Sequence, residues 1–326
     1  MQELKERILN DVAHDLAAIE KALVENLNPY LPFVSHVAKY IMFSGGKRIR
    51  PLLMVLSARL CGYQGDYDKT LSAVFEYLHA ATLLHDDVVD GAEVRRGNPV
   101  AHSIWGTPGA VLTGDFLLAR SIAIAAQTDQ IAILDILAHT TAEMSQGEID
   151  QLLHRQDLST DEEQYMEVIR RKTAYLIQAA CQTGALLARA PEDRVDALLN
   201  YGYNLGVAFQ LVDDLLDYTA EAQVLGKATG TDLTEGKLTL PVIYALRRST
   251  VEDRNRMEAI IQQGTFTKGE FDSILRLVAK YGGIEYTRKR AREHIDQAKE
   301  YLQIFDVSKT RRLLEDLADY VVVRKM

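Results

Sequence analysis

The chain has 326 residues, of which 47% are hydrophobic and 25% are charged, and its formal net charge is −9. This composition is typical of a globular protein with a sizeable core, and no lysine- or arginine-rich run favours nucleic acid as a partner. The N-terminal segment is charged, and no uninterrupted apolar stretch reaches about 18 residues. We therefore predict neither a secretory signal nor a transmembrane segment, and a cytoplasmic location.

Helical periodicity begins at the N-terminus. Leu4, Ile8, Val12 and Leu16 recur every four residues, which places them on one face of an amphipathic helix. Turn residues separate the later apolar segments at Asn28-Pro29, Gly45-Gly46, Gly62, Gly97-Asn98-Pro99, Thr107-Pro108-Gly109, Gly226, Gly236 and Gly282-Gly283. Because alternating strand patterns are missing, we predict an all-α fold. It is a single domain, residues 1–326, formed by a bundle of roughly ten or more helices.

The first polar motif in chain order is GGKRIRP, which begins at Gly45. Its two glycines predict a tight turn that leads into a helix, whose first backbone amides favour an anion. Lys47 and Arg50 lie three residues apart, so we predict that they share a helix face and reach one phosphate group. An ordinary basic first turn is the alternative, but cations at a helix N-terminus are unfavourable without an anion.

Two acidic clusters carry the strongest chemical signal. LLHDDVVD ends at Asp90 and QLVDDLLD ends at Asp217, and in each the first and last aspartates lie four residues apart on one helix face. Carboxylates at this spacing repel one another, and the first cluster precedes Gly91, which predicts a helix C-terminus where the macrodipole disfavours anions. A solvated charged turn could explain one copy. Two copies indicate Mg²⁺ and a strongly anionic substrate such as a diphosphate.

Basic and polar residues follow both acidic clusters. Each of them alone is more often a solvated surface residue, but their recurrence beside the aspartates favours phosphate binding. The candidates are Arg95, Arg96, Lys172, Thr173, Lys227 and Lys237.

His79 lies seven residues before Asp86 and so on nearly the same helix face. With Glu76 it forms a Glu-x-x-His pair, a spacing used in di-iron bundles, but the sequence lacks the second copy that such a centre needs. We therefore predict that His79 is a core histidine or a hydrogen-bond donor to a phosphate.

Several motifs together identify a family. GGKRIRP, LLHDDVVDGAEVRRGNP, GDFLLAR, KTA, FQLVDDLLD and GKATGTDLTEGKLTLP occur in this order over residues 45–241. With them the chain resembles the trans-isoprenyl diphosphate synthases (polyprenyl synthetases), most of all the octaprenyl and solanesyl diphosphate synthases, which supply quinone side chains. The resemblance implies an all-α fold with a central cavity, usually as a homodimer. It also implies Mg²⁺-dependent condensation of isopentenyl diphosphate with an allylic diphosphate, with about three Mg²⁺ ions between the two clusters.

The resemblance also implies a role for each matching residue. The acidic candidates are Asp86, Asp87, Asp90, Asp213, Asp214 and Asp217, with Asp86, Asp90 and Asp213 as direct metal ligands. The implied contacts of the allylic diphosphate are Arg95, Lys172, Thr173, Gln210, Lys227 and Lys237. Those of isopentenyl diphosphate are Lys47, Arg50, His79 and Arg96, with Arg324 near the C-terminus as a further candidate.

The length of the product is predicted from the helix that carries Asp86. Side chains about one turn before the aspartates, and one turn further back, lie along the face where the product should grow; they are Ala81, Thr82 and Leu78. The small Ala81 leaves this path open and predicts a long product of about C40. A floor supplied by another helix would instead give a geranylgeranyl- or farnesyl-length product.

Two further alternatives concern the class of protein. A class I terpene cyclase shares a helical fold and an aspartate-rich metal site, but it usually lacks a second cluster of this type and the GGKRIRP segment. A non-catalytic subunit of a heteromeric synthase typically loses aspartates from one cluster, and both clusters are intact here. The sequence therefore favours a self-sufficient enzyme.

Overall fold

The structure is a computed structural model that describes residues 2–219 and 230–323. Helices dominate these residues, which confirms the predicted all-α class. They are α1 (Gln2–Leu27), α2 (Pro32–Phe43), α3 (Ile49–Leu60), α4 (Tyr67–Val89), α5 (Ala101–Ala126), α6 (Ile131–Leu153), α7 (Glu162–Ile169), α8 (Tyr175–Leu187), α9 (Glu192–Thr219), α10 (Thr231–Thr234), α11 (Leu240–Arg248), α12 (Val251–Ile261), α13 (Lys268–Lys280), α14 (Gly283–Tyr301) and α15 (Lys309–Val323). A π-helical turn, Arg170–Ala174, and a 3₁₀ turn, Leu302–Ile304, adjoin α7 and α14. The short strands β1 (Val94–Arg95) and β2 (Asn98–Pro99) form one antiparallel hairpin.

The chain forms two compact units, each assembled from separate stretches of sequence. The first unit comprises Met1–Thr141, Leu176–Gly202 and Tyr301–Leu317. The second unit comprises Ala142–Tyr175, Tyr203–Glu300 and Ala318–Met326. One functional domain over residues 1–326 stays a prediction.

Helix α4 is the central helix of the first unit and packs against α1, α2, α3 and α5. Its side chains Leu71, Val74 and Phe75 are fully buried, and each stabilises the unit by about 1.5–3 kcal/mol relative to an exposed side chain. The helix ends at Val89 with Asp90 as C-cap, and Gly91 follows with φ 61°. The first acidic cluster therefore lies at a helix C-terminus, as predicted.

Helix α5 contains the interruption that Thr107-Pro108-Gly109 predicted, one residue earlier in the chain. Gly106, with φ 77° and ψ 155°, is non-helical and divides the segment Ala101–Ala126 into two helical parts that meet at a kink. Proline is tolerated there because it lies in the first turn after the kink, where its missing N–H has no helical acceptor to lose. Among the described residues, only α5 has the length and composition of a membrane span. Core helices of globular proteins often have the same length and composition, and Ala110, Leu117 and Ile124 of α5 are fully buried in the first unit.

In the second unit, two glycines allow neighbouring helices to pack closely against the π-helical turn. A Cβ atom at Gly206 of α9 would lie 2.6 Å from Cα of Ala174, and one at Gly147 of α6 would lie 2.8 Å from Cβ of Arg171. Both distances are too short for a real contact, so only glycine lets these helices approach so closely. A π turn inserted between two helices often marks a functional site. Here it carries Lys172 and Thr173, two of the predicted phosphate contacts.

Candidate active site

The first acidic cluster presents its aspartates to different surroundings. Asp86 and Asp90 are half-buried, whereas Asp87 is only 1% exposed. Asp87 Oδ1 accepts hydrogen bonds from Arg95, at 2.8 Å from Nε and 2.7 Å from Nη2. The middle aspartate therefore holds the β hairpin against α4, and the outer two remain accessible to a ligand.

Oδ2 of Asp87 is buried and has no hydrogen-bond partner among the described residues. A buried carboxylate oxygen without a donor is costly, and a nearby cation would compensate it. Half-buried carboxylates one turn apart also give the oxygen ligands that Mg²⁺ prefers, with room for its waters. The donor set of the first cluster thus fits a magnesium site.

The hairpin separates the two predicted arginines. Arg96 and Gly97 form its turn with φ values of 53° and 78°, so Arg95 and Arg96 lie on a hairpin rather than an open loop. Arg95 points to Asp87, while Nη1 of Arg96 donates to the carbonyl oxygen of Gly45. The side chains of the adjacent arginines therefore point to different partners.

The GGKRIRP segment departs from its predicted conformation. Gly45 and Gly46 have φ values of 111° and 144°, Arg48 is left-handed at φ 49°, and α3 begins only at Ile49. Lys47 thus precedes the helix, and the prediction that it shares a helix face with Arg50 is wrong. The glycines and the left-handed Arg48 extend the turn by two more residues than the sequence indicated. Lys47 is exposed and Arg50 is half-buried.

His79 lies on α4 in a strongly positive environment. Burial holds the pKa of its imidazole well below the usual value, and the charges of Arg50, Arg96, Arg95 and Arg48 lower it further. The ring is therefore neutral at physiological pH. Arginines gathered around a neutral histidine form a site suited to an anion with several negative oxygens. The sequence did not indicate Arg48 as a neighbour of His79.

The second acidic cluster, like the first, has a buried middle aspartate. Asp213 is exposed, whereas Asp214 is 5% exposed and accepts hydrogen bonds from Tyr165 Oη (2.5 Å) and Gln210 Nε2 (2.6 Å). Burial raises the pKa of Asp214 to about 7, although both hydrogen bonds favour its charged form. Burial and the Asp214 charge also raise the pKa of Tyr165 well above its usual value, so its hydroxyl remains a donor.

Asp217, the last aspartate of the second cluster, caps a helix. Its Oδ1 and Oδ2 accept hydrogen bonds from the backbone amides of Thr231 (3.3 Å) and Asp232 (3.1 Å) at the start of α10. Nearby, the Lys237 ammonium lies 2.6 Å from Oε2 of Glu235. The side chain of Asp217 on α9 thus holds the start of α10.

The π-helical turn brings polar residues of three helices together. Lys172 Nζ lies 2.7 Å from Oε1 of Gln151 and 2.6 Å from Oε1 of Glu148, both on α6. Thr173 Oγ1 donates to Gln210 Oε1 at 2.8 Å, and Gln210 in turn donates to Asp214. A continuous hydrogen-bonded chain therefore joins the KTA motif to the second acidic cluster.

The sequence predictions missed three of these residues. Glu148 and Gln151 lie three apart and so share a face of α6, but the many other polar residues of that helix gave no reason to single them out. Tyr165 gave no sequence signal. Two predicted residues, Lys227 and Arg324, lie outside the described residues. Glu76, the partner of His79 in the di-iron alternative, instead forms an ion pair with Arg48 at 2.9 Å, and so it is held by a cation of the chain itself.

Comparison with known proteins identifies the class. The family model for polyprenyl synthetase matches residues 32–278. The octaprenyl diphosphate synthase of Escherichia coli is 39% identical over 319 residues, which cover 98% of both chains. Among solved structures, a polyprenyl synthase from Caulobacter crescentus, complexed with calcium and isoprenyl diphosphate, superposes with a TM-score of 0.93 at 38% identity over 98% of both chains. A decaprenyl diphosphate synthase from Rhodobacter capsulatus gives 0.92 at 41% identity over 98% of both chains.

The all-α fold, the two Asp-Asp-x-x-Asp clusters with the KTA motif, and the similar proteins all indicate the same class of enzyme. The chain belongs to the polyprenyl synthetase family. Within that family it is a long-chain all-trans prenyltransferase.

Proposed function

We propose that this enzyme extends an allylic diphosphate by successive additions of isopentenyl diphosphate, and that the product has about eight isoprene units, as in octaprenyl diphosphate. Such a chain suits the side chain of a quinone. The observation that carries the proposal is the repeated design of the acidic clusters. In each, a buried middle aspartate is fixed by hydrogen bonds. Asp86 and Asp90 are accessible beside it in the first cluster, and Asp213 is accessible in the second.

We propose Asp86, Asp90 and Asp213 as direct magnesium ligands, with about three Mg²⁺ ions per active site. Their accessibility supports this role, and the calcium in the Caulobacter relative is consistent with divalent metal binding. Asp87 and Asp214 are proposed to support the metal ligands without binding the metal. Asp87 accepts hydrogen bonds from Arg95, and Asp214 accepts them from Tyr165 and Gln210. Asp217 is proposed to have a structural role, because its carboxylate accepts hydrogen bonds from the backbone amides at the start of α10.

The reaction then follows from the placement of charge. The allylic C–O bond breaks, the terminal carbon of isopentenyl diphosphate forms the new C–C bond, and the released pyrophosphate accepts the proton that is lost. When bound, Mg²⁺ polarises the leaving diphosphate. The residues proposed to hold the allylic diphosphate are Arg95, Lys172, Thr173, Gln210, Lys227 and Lys237. Those proposed for isopentenyl diphosphate are Lys47, Arg50, His79 and Arg96. The charges of Arg50 and Arg96 both lower the pKa of His79, which supports the assignment of these three residues.

The path of the growing product is proposed to follow α4. Ala81 and Leu78 are 5% and 3% exposed, so an apolar chain beside them would be shielded from water. Thr82 turns its hydroxyl back to the carbonyl oxygen of His79 at 2.9 Å, which leaves its methyl group for apolar contact. Shielding of this kind also protects the allylic cation from water.

We further propose a cytoplasmic homodimer in which residues 1–326 act as one domain. Exposed apolar side chains on α5 and α6 support the dimer: Leu112, Ile122 and Ile131 are 65%, 53% and 82% exposed. Large exposed apolar side chains favour burial against a second protein surface.

A pair of matched substitutions tests the division of the basic residues between the two substrates. Lys47→Gln should raise KM for isopentenyl diphosphate about tenfold and leave KM for farnesyl diphosphate nearly unchanged, because one charged phosphate contact is lost. Lys172→Gln should raise KM for farnesyl diphosphate about tenfold and leave KM for isopentenyl diphosphate nearly unchanged. Initial rates with each substrate varied in turn would show this, and equal effects of both variants on both substrates would contradict the assignment.

A further inference from the structure

Arg48 is the one cation of the GGKRIRP segment whose side chain is buried. It is only 5% exposed, whereas Lys47 is exposed and Arg50 is half-buried. Its left-handed backbone (φ 49°, ψ 33°), at the N-cap of α3, turns the side chain inward. A non-glycine residue in this conformation costs about 1 kcal/mol or more, so the surrounding contacts must hold it there. Arg48 therefore lies in the interior of the first unit, unlike its two basic neighbours in the segment.

The contacts of Arg48 join α3 to α4. Its Nη1 donates to Oε1 of Glu76 at 2.9 Å, and the Glu76 side chain is 9% exposed. Its guanidinium carbon lies 5.2 Å from the centroid of the Phe43 ring, and its Nε lies 3.8 Å from Oε1 of the half-exposed Glu20. The dominant partner is thus Glu76, a buried carboxylate in the middle of α4.

Both ends of this ion pair adjoin residues proposed for isopentenyl diphosphate. Glu76 lies three residues before His79 on α4. At the other end, a Cβ atom on Gly46 would lie 2.7 Å from Nη1 of Arg48, so the glycine backbone packs directly against the guanidinium. Arg96 holds the preceding residue through the carbonyl oxygen of Gly45. The turn that carries Lys47 is thus fixed from two sides.

We infer that the Arg48–Glu76 ion pair is a positioning element for isopentenyl diphosphate, which fixes the Lys47 turn relative to His79 without contacting the substrate. This inference rests on the proposed assignment of Lys47 and His79 to that substrate. A buried ion pair gains little net stability, because desolvation offsets the attraction of its charges. Geometry gives a better reason for it, since a displacement of about 1 Å in a binding group can cost up to a hundredfold in activity.

The test uses two variants of the pair. Glu76→Gln keeps the shape and a hydrogen-bond acceptor but removes the charge, and Arg48→Lys keeps the charge but loses the planar fork of donors. Each should raise KM for isopentenyl diphosphate about tenfold, while KM for farnesyl diphosphate and kcat stay within about twofold of the unaltered enzyme. Initial rates with each substrate varied in turn give both KM values and kcat, and thermal unfolding gives the Tm of each variant.

The matched control is Asp15→Asn. Asp15 is 4% exposed and pairs with Arg59 at 2.5 Å, near the other end of α3. This variant weakens an ion pair of α3 whose carboxylate is buried and whose arginine is 41% exposed, so it should lower Tm without changing KM for isopentenyl diphosphate.

Three outcomes would overturn the inference: an unchanged KM for isopentenyl diphosphate in Glu76→Gln and Arg48→Lys, equal changes in KM for both substrates, or failure of both variants to fold. The variant Lys47→Gln distinguishes failure of the proposed positioning role from failure of the proposed binding site. If it raises KM for isopentenyl diphosphate and the pair variants do not, only the positioning role is wrong. If Lys47→Gln has no effect either, the proposed binding site itself is wrong.

Discussion

Replacing Asp86 or Asp213 by asparagine should lower kcat about 10²–10³-fold, because each change removes one preorganised charge from the stabilisation of the leaving diphosphate. Both side chains are accessible, and neither is the buried aspartate that holds its cluster together. The Mg²⁺ concentration needed for half-maximal rate should rise as well, since a neutral amide is a poorer ligand for a hard cation. Initial rates over a magnesium series would measure both effects.

Stability separates this effect from misfolding. The carboxylates of each cluster repel one another without metal, so Asp86→Asn should leave the metal-free Tm unchanged or slightly higher. Asp296→Asn, on the exposed face of α14, is the control: it removes the same charge and should change neither Tm nor kcat appreciably. If Asp86→Asn kept most of the activity at low Mg²⁺, Asp86 would not be a metal ligand.

Replacing Ala81 by phenylalanine should shorten the product from octaprenyl length to geranylgeranyl length or less. Ala81 is buried on α4, five residues before Asp86, and an aromatic ring there would block a chain that grows along this face. Chromatography of products made from farnesyl diphosphate would show the new distribution. Intermediate products should follow from Ala81→Val, because a smaller side chain leaves part of the path open.

The neighbouring residue provides the control. Ala80 is also buried, at 3% exposed, but it points about 100° away around the helix. Ala80→Phe should destabilise the enzyme by about 1–3 kcal/mol through overpacking and leave the product length unchanged. If Ala81→Phe were just as destabilising and the product kept its length, the residues beside Ala81 would be packed core rather than the wall of a tunnel.

The fold was predictable because local signals agreed with it. Apolar periodicity indicated helices, and Gly91 indicated the end of α4 directly after the first acidic cluster. The spacing of the aspartates showed that they share a helix face, but not which of them would be buried. That depends on Arg95 in the first cluster and on Tyr165 in the second, and Tyr165 lies 49 residues away in sequence from Asp214.

The wrong prediction for the GGKRIRP segment also arose from a contact between residues that are distant in sequence. Lys47 and Arg50 were assigned to one helix face because nothing in the sequence showed that Arg48 would adopt a left-handed conformation, which non-glycine residues rarely do. The buried contact with Glu76, 28 residues away in sequence, stabilises that conformation. Sequence reasoning therefore found the charged groups of the site, whereas the residues that orient them emerged only from tertiary packing.

The most direct test of the central claim is the product distribution of the purified enzyme with Mg²⁺, farnesyl diphosphate and labelled isopentenyl diphosphate. We expect a ladder of all-trans products that ends near octaprenyl length and disappears when the metal is chelated. Termination at geranylgeranyl length would contradict the open path beside Ala81. If folded protein incorporated no isopentenyl diphosphate at all, the assignment as a self-sufficient synthase would be wrong.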